Sequence, residues 1–289
     1  MGFRPLLRLA ALLVVATAAS AATDCPTPAT APGRIVSITP AITETLFAIG
    51  AGPQVVGVSD YCTFPPETAR LPHLGTTLTP TYETIARLDP ELILSEDNVN
   101  VRATELRDLG PTCLIPWLTL DQFVAGIRTV GRVTGHAAPA DALADRIRTR
   151  LTTPAPADAP RVLLVLASDT ASLHEVWFIR RNSVHGAALA AAGGRNAVDE
   201  DVGGLPRLSL QRVLEIDPDV IVLLVAGTAD EAAARERLLA EWRALEPLTA
   251  VRRNRIAVID APEAYITGPR ILDLTDRLHA ELARLAARP

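Results

Sequence analysis

A chain of 289 residues is long enough for two modest domains, each able to bury a core. With 48% hydrophobic and 21% charged residues, it is neither disordered nor a protein of many membrane spans. A formal net charge of -5 argues against a nucleic-acid partner, because neutralising phosphates needs a basic surface.

In chain order, Arg4 and Arg8 precede the apolar run LAALLVVATAA, and ASA at 19–21 supplies small residues for cleavage. That is the pattern of a secretory signal peptide, assigned to residues 1–22. A transmembrane anchor would need about 20 apolar residues and a longer flank. Thr23 and Asp24 stand before Cys25, where a lipidation site needs small uncharged residues, so a free exported protein is expected. Cys25, Cys62 and Cys113 then form at most one bridge and leave one thiol over.

Short apolar runs rich in branched residues follow at RIVSI (34–38), QVVGV (54–58), ELILS (91–95) and CLIPW (113–117). Four more appear later as RVLLVLA (161–167), NAV (196–198), DVIVLLV (219–225) and RIAVID (255–260). Runs apolar on both faces suit parallel strands covered by helices. The stretch AITETLFAIG after Thr39-Pro40 reads as a helix with a good cap and N1 residue, closed by Gly50.

One phrase is written twice. TYETIARLDPELIL (81–94) returns as SLQRVLEIDPDVIV (209–222). Each copy reads as an amphipathic helix, a stop at Asp-Pro and a buried strand, since Pro cannot continue a helix and restricts the residue before it. Between the two halves, AAPADALADRIRTRLT carries Leu143, Ile147 and Leu151 at four-residue spacing before breaking at TPAPADAP. The expected architecture is α/β: two βαβα lobes with small parallel sheets, joined by one long rigid helix, with a ligand cleft between them. The first lobe is assigned to 34–134, the connecting helix to 135–153 and the second lobe to 161–289, and little lobe movement on binding is expected.

The ordered set RIVSITPAITETLFAIGAGPQVVGVSDYCTFPPE, YETIARLDPELIL, AAGGRNAV, LSLQRVLEIDPDVIVL and GPRILDLTDRL resembles the periplasmic solute-binding proteins of metal-chelate ABC importers. That helical-hinge class includes cobalamin, ferric-siderophore and haem binders, and the match runs from about residue 34 to the end. The resemblance implies a periplasmic monomer that carries a metal chelate to a membrane permease, without a cofactor of its own. It also implies one docking residue per lobe, Glu83 in the first copy of the phrase and Gln211 in the second, with Glu215 nearby as a possible substitute. A carboxylate makes charge-assisted hydrogen bonds to Arg, about twice as strong as those of an amide.

Loops after strand ends supply the candidate ligand residues. In the first lobe these are Thr39, Pro40, Tyr61, Glu96, Asp97, Asn98 and Trp117; in the second, Trp177, Phe178, Arg180, Arg181, Asn182, His185, Glu263 and Tyr265. Tyr61 aligns with an aromatic that the cobalamin binder uses against its ligand. Where that relative has tryptophans this chain reads Thr77, Glu96 and Leu205, which makes the cleft more polar. Arg180 and Arg181 have the fork geometry for carboxylate or catecholate oxygens, or are a solvated pair. His185 is either an iron ligand or structural, Trp117, Trp177 and Phe178 are platforms or core, and Glu96-Asp97 could meet a bare cation.

The chain has no Lys, so neither a Schiff-base nor a phosphate-loop lysine is available. Gly-x-Ser-x-Gly, His-Glu-x-x-His, Cys-x-x-Cys and Gly-x-Gly-x-x-Gly are all missing, so an enzyme is not expected. The same fold would also serve a bare-cation binder, or a sensor or scaffold that transports nothing.

Overall fold

The computed structural model describes residues 25–26, 28–98, 101–167, 175–201, 206–227 and 231–287. The assigned signal peptide lies outside them, as does Leu205. In the first half, β1 (Ile35–Ser37), α1 (Pro40–Ala48), β2 (Val55–Val58), α2 (Tyr82–Arg87), β3 (Leu92–Glu96), α3 (Ala103–Arg107) and β4 (Thr112–Ile115) precede α4 (Leu120–Thr134) and α5 (Ala137–Leu151). The second half begins with β5 (Arg161–Leu166), β6 (Glu175–Trp177), α6 (Val184–Ala191), β7 (Arg195–Asn196), β8 (Arg207–Ser209) and α7 (Leu210–Ile216). It ends with β9 (Val220–Val225), α8 (Glu231–Arg243), α9 (Thr249–Arg252), β10 (Ile256–Asp260) and α10 (Ile271–Ala286).

Two parallel four-stranded sheets result, in the orders β2-β1-β3-β4 and β10-β9-β5-β7. The orders coincide when β5, β7, β9 and β10 stand for β1, β2, β3 and β4. The repeated phrase is therefore one structural unit used twice, and its details repeat too. Asp89 and Asp217, the residues before the two prolines, both have positive φ, at 44° and 41°. Pro disfavours the right-handed helical region for its predecessor, and Asp tolerates the left-handed one, so the helix stops within one residue. An arginine at the start of each lobe's first strand holds that stop. The Arg34 side chain donates to the carbonyls of Leu88 and Asp89, and that of Arg161 to those of Ile216 and Asp217.

The expected connector is α5, whose Leu143, Ile147 and Leu151 are all buried. It follows α4 across Gly135, a left-handed C-cap at φ 79°, and packs on α4 on one side and α6 on the other. The two helices approach so closely that a Cβ at Gly131 would lie 2.2 Å from that of Ala140. One hydrophobic cluster runs from α1 and β1 through α4 and α5 to β5, β9 and α10, so the lobes share a core. The outer faces of the two sheets carry separate clusters, around Val36 and Ile93 in the first lobe and Leu163 and Leu223 in the second.

Two features differ from expectation. The stretch EVWFIRRN, read as a loop, begins with β6, which pairs antiparallel with β8 as a two-stranded ribbon. Each strand has three residues, too few to show a period. The sequence left the cysteine pairing open; Cys25 and Cys113 are bonded, and the Cys25 sulfur is thereby occupied. Cys62 is the buried free thiol, bonded to the Thr43 and Ser59 hydroxyls, and burial pushes its pKa up. Among the described residues no helix is long and apolar enough to cross a membrane.

Candidate functional site

In a parallel sheet all carboxyl ends lie along one edge, and here the loops leaving the two edges touch each other. Trp117, just after β4, donates its indole N–H to the Thr267 carbonyl after β10 at 2.7 Å. The Leu118 carbonyl accepts from the Val184 amide at 3.2 Å. Arg270, beside the start of α10, reaches across to Glu44 on α1 at 2.5 Å. The two edges therefore face one another across a gap closed at its base by these bonds.

The loops at these two edges expose large apolar side chains. Tyr61 is 64% exposed, Phe64 41%, Leu78 61%, Leu118 50% and Tyr265 40%, and all five stand on loops between a strand's carboxyl end and the following helix. Leu214 on α7 is the other exposed large hydrophobic side chain among the described residues. Large apolar side chains gathered on loops around a cleft mark a binding surface, whereas scattered ones do not. The Tyr265 hydroxyl donates to the carbonyls of Ala167 and Leu224, which places its ring over the ends of β5 and β9. Burial, helped by Asp260, pushes its pKa up to about 12, so it stays a neutral phenol. Phe64 lies under the Arg270 guanidinium, 4.2 Å from ring centroid to cation, and both also line a hollow of about 620 Å³ on the α1 side.

The first lobe adds a polar floor. Thr39, the N-cap of α1, is buried, and its hydroxyl does not cap the helix. Pro40 at the first helical position has no N–H to cap. Glu96, the last residue of β3, is half-buried, and desolvation raises its pKa to about 7 against a smaller opposing effect of the Thr39 hydroxyl. Asp97 and Asn98 beside it are exposed.

Several sequence candidates point elsewhere. Phe178 is buried in the outer-face core of the second sheet. His185 is buried on α6, its Nε2 bonded to the Ala264 carbonyl at 3.1 Å, and burial lowers its pKa to about 4. Trp117 is buried edge-to-face against Phe123 at 5.2 Å. Glu263 is buried between Arg270 and Arg277, at 3.3 and 3.0 Å. These four are structural in position: sequence showed which loops they stand on, but not which way they turn. Trp177 on β6 carries Arg207 over its ring at 5.4 Å. Arg180 is half-buried, while exposed Arg181 is held by Asp199 and Asp201 at 3.0 and 3.1 Å. Asn182 is exposed in the turn before Ser183, which caps α6. Among the described residues no group of three or more His, Cys, Asp or Glu is placed to hold a metal ion.

Sequence reasoning missed Glu44, Phe64, Leu78, Leu118 and Arg270. Phe64 and Arg270 stood in quoted motifs, CTFPP and GPR, but nothing in either marks them as partners. Burial of Glu44 raises its pKa, and the hydrogen bond and charge of Arg270 oppose that rise. Outside the cleft, Glu83 and Gln211 occupy matching first turns of α2 and α7 and are exposed. Glu83 lies 3.8 Å from Arg87, and Gln211 donates to Glu215 at 3.0 Å. That bond and Arg212 keep the Glu215 carboxyl below its ordinary pKa.

Two duplicated parallel-sheet lobes with a helical connector and an apolar-rimmed gap define a two-lobed binding protein. The periplasmic binding protein model matches residues 35–263, and the chain belongs to that family. It is 29% identical over 262 residues to a cobalamin-binding protein of Halobacterium salinarum, covering 86% of this chain and 68% of that one. It superposes with a TM-score of 0.67 on the periplasmic haem-binding protein RhuT of Roseiflexus, at 28% identity over 86% of this chain and 98% of that one. An ABC-type Fe3+-hydroxamate transport protein of Saccharomonospora viridis gives 0.66 at 25% identity, over 87% and 93%.

Proposed function

We propose that this protein is exported to the periplasm, captures a metal chelate between its lobes as a monomer, and delivers it to the permease of an ABC importer without catalysing a reaction. The chelate is a ferric siderophore, a corrinoid or haem. The observation that carries the reading is the exposure of Tyr61, Phe64, Leu78, Leu118 and Tyr265 on the loops that leave the carboxyl ends of the two sheets. A flat or globular chelate offers a broad apolar surface, and aromatic faces bind such a surface with large buried area and few polar demands. Relatives named for cobalamin, haem and ferric hydroxamate support the same ligand class. Tyr61, Tyr265, Glu96, Asp97, Asn98 and Arg180 are the sequence candidates retained as ligand-facing, with Thr39 and Pro40 at the floor. The gene deleted from its native cell should abolish uptake of one chelate class and spare the others; normal uptake of all three would refute transport.

Glu83 is the proposed docking carboxylate of the first lobe, and Gln211 with Glu215 the counterpart of the second. Reversing the charge at Glu83 puts like charges against a basic permease surface. Glu83→Arg is therefore expected to remove ligand-dependent stimulation of the permease's ATPase while ligand affinity stays within about twofold, because the side chain is solvent-exposed and outside the cleft. Full stimulation by the variant would exclude that docking role.

A further inference from the structure

We propose that α1 sets the distance between the two exposed tyrosines of the cleft loops, and that its consecutive residues Thr43 and Glu44 are positioning residues for chelate capture. Thr43 holds the first-lobe loop that carries Tyr61, and Glu44 holds the second-lobe loop that carries Tyr265. This inference rests on the chelate-capture reading and deepens it.

Successive residues of an α-helix project about 100° apart, so two neighbours can serve two different walls. Thr43 and Glu44 are both buried, at 0% and 2% exposure. The Thr43 hydroxyl lies 2.7 Å from that of Ser37 at the end of β1 and 3.1 Å from the Cys62 sulfur. Cys62 in turn lies 3.1 Å from the Ser59 hydroxyl, and its amide donates to the Ser59 carbonyl at 3.0 Å. The turn that follows β2 is thereby pinned to α1 at the residue next to Tyr61.

Glu44 faces the other lobe. Its two carboxylate oxygens accept from Nη2 and Nε of Arg270 at 2.5 and 3.1 Å, a fork that fixes orientation as well as distance. Gly268 lies so close that a Cβ there would stand 2.8 Å from Glu44 Oε2. Trp117 bonds the Thr267 carbonyl in the same stretch. These cross-lobe contacts all fall on residues 267–270, a short step along the loop from Tyr265. On its own side the loop is tied by the Ala264 carbonyl to His185, and by the Tyr265 hydroxyl to the carbonyls of Ala167 and Leu224. The two loops also meet directly, because Phe64, on the same loop as Tyr61, lies under Arg270. Apolar side chains of similar volume would stabilise this seam as well as a buried ion pair does. What the bonded fork and the bonded hydroxyl add is a fixed geometry for the two tyrosines, which spares a ligand the cost of ordering them.

The mature protein is titrated by absorbance with cyanocobalamin, haem and ferrioxamine B, and the probe that binds wild type is carried through two double-mutant cycles. Glu44→Gln is expected to weaken binding about tenfold in wild type and about twofold or less in Tyr265→Ala, because misplacing a ring that is already absent costs nothing more. Gly268→Ala keeps every charge, displaces the carboxylate with its added methyl group and should behave the same way, so the test stands even where Glu44→Gln fails to fold. Thr43→Val is expected to lose about fivefold in wild type and about twofold or less in Tyr61→Ala. Thr43→Ser keeps the hydroxyl and should bind within about twofold of wild type. A purely structural role would give losses of the same size with and without the tyrosine. Equal losses of that kind in either cycle, or Glu44→Gln and Gly268→Ala binding as tightly as wild type, would overturn the inference and leave chelate capture standing. Failure of wild type to bind any of the three probes would overturn chelate capture and this inference together.

Discussion

Replacing Arg270 with Met is expected to destabilise the protein by about 3–5 kcal/mol at pH 8, as removing one partner of a buried ion pair generally does. Arg270 holds two buried carboxylates, Glu44 of the first lobe and Glu263 of the second. Glu263 keeps Arg277, but Glu44 is left with no ion-pair partner among the described residues. Its pKa, already raised by burial above the ordinary 4.5, would rise further. A raised carboxyl pKa means that stability is lost as pH climbs through the folded value, so the deficit of the variant should be largest at pH 8 and smallest near pH 4.5. Adding Glu44→Gln should recover part of it, because the stranded charge is then gone. Urea melts of the three proteins at both pH values measure this. A deficit that ignores pH and is untouched by Glu44→Gln would mean that Arg270 acts by packing on Phe64 and not by charge.

The second large effect is expected from the disulfide. Cys25 and Cys113 are 88 residues apart, so their bond closes a long loop in the unfolded chain. Bridges of this kind contribute about 2–5 kcal/mol, with longer loops toward the upper end. Cys25→Ser is the suitable variant, since Cys25 is half-buried and its loss opens no deep cavity, whereas Cys113 lies in the core. Wild type under reducing conditions should lose stability to the same extent, and unchanged urea midpoints in both experiments would contradict the assignment.

Much of the architecture was legible because it is written in short-range patterns. The runs ELILS and DVIVLLV became β3 and β9, the doubled Asp-Pro became two matching helix stops, and Leu143, Ile147 and Leu151 became the buried stripe of α5. The β6–β8 ribbon left no such signal, since three residues cannot display an alternation and its strands are thirty residues apart in the chain, roughly one supersecondary unit. For the site, sequence placed residues on the right loops and could go no further. Tyr61 and Tyr265 are exposed, while Phe178, His185 and Glu263, chosen by the same reasoning, turn into the core. Direction depends on tertiary packing, and a one-residue change of register reverses it. The Glu44–Arg270 bond spans 226 positions and pairs two residue types that are common everywhere on protein surfaces, so only the folded chain brings them together.

Chelate capture in the interlobe gap is tested most directly by an absorbance titration of the mature protein with a corrinoid, haem and several ferric siderophores, each of which carries its own chromophore. The expected result is a saturable spectral shift with one class at one ligand per protein, weakened about tenfold or more in Tyr61→Ala, since a stacked aromatic contributes on the order of 1 kcal/mol beyond its buried area. Silence across the whole panel, or a shift that Tyr61→Ala leaves unchanged, would contradict it.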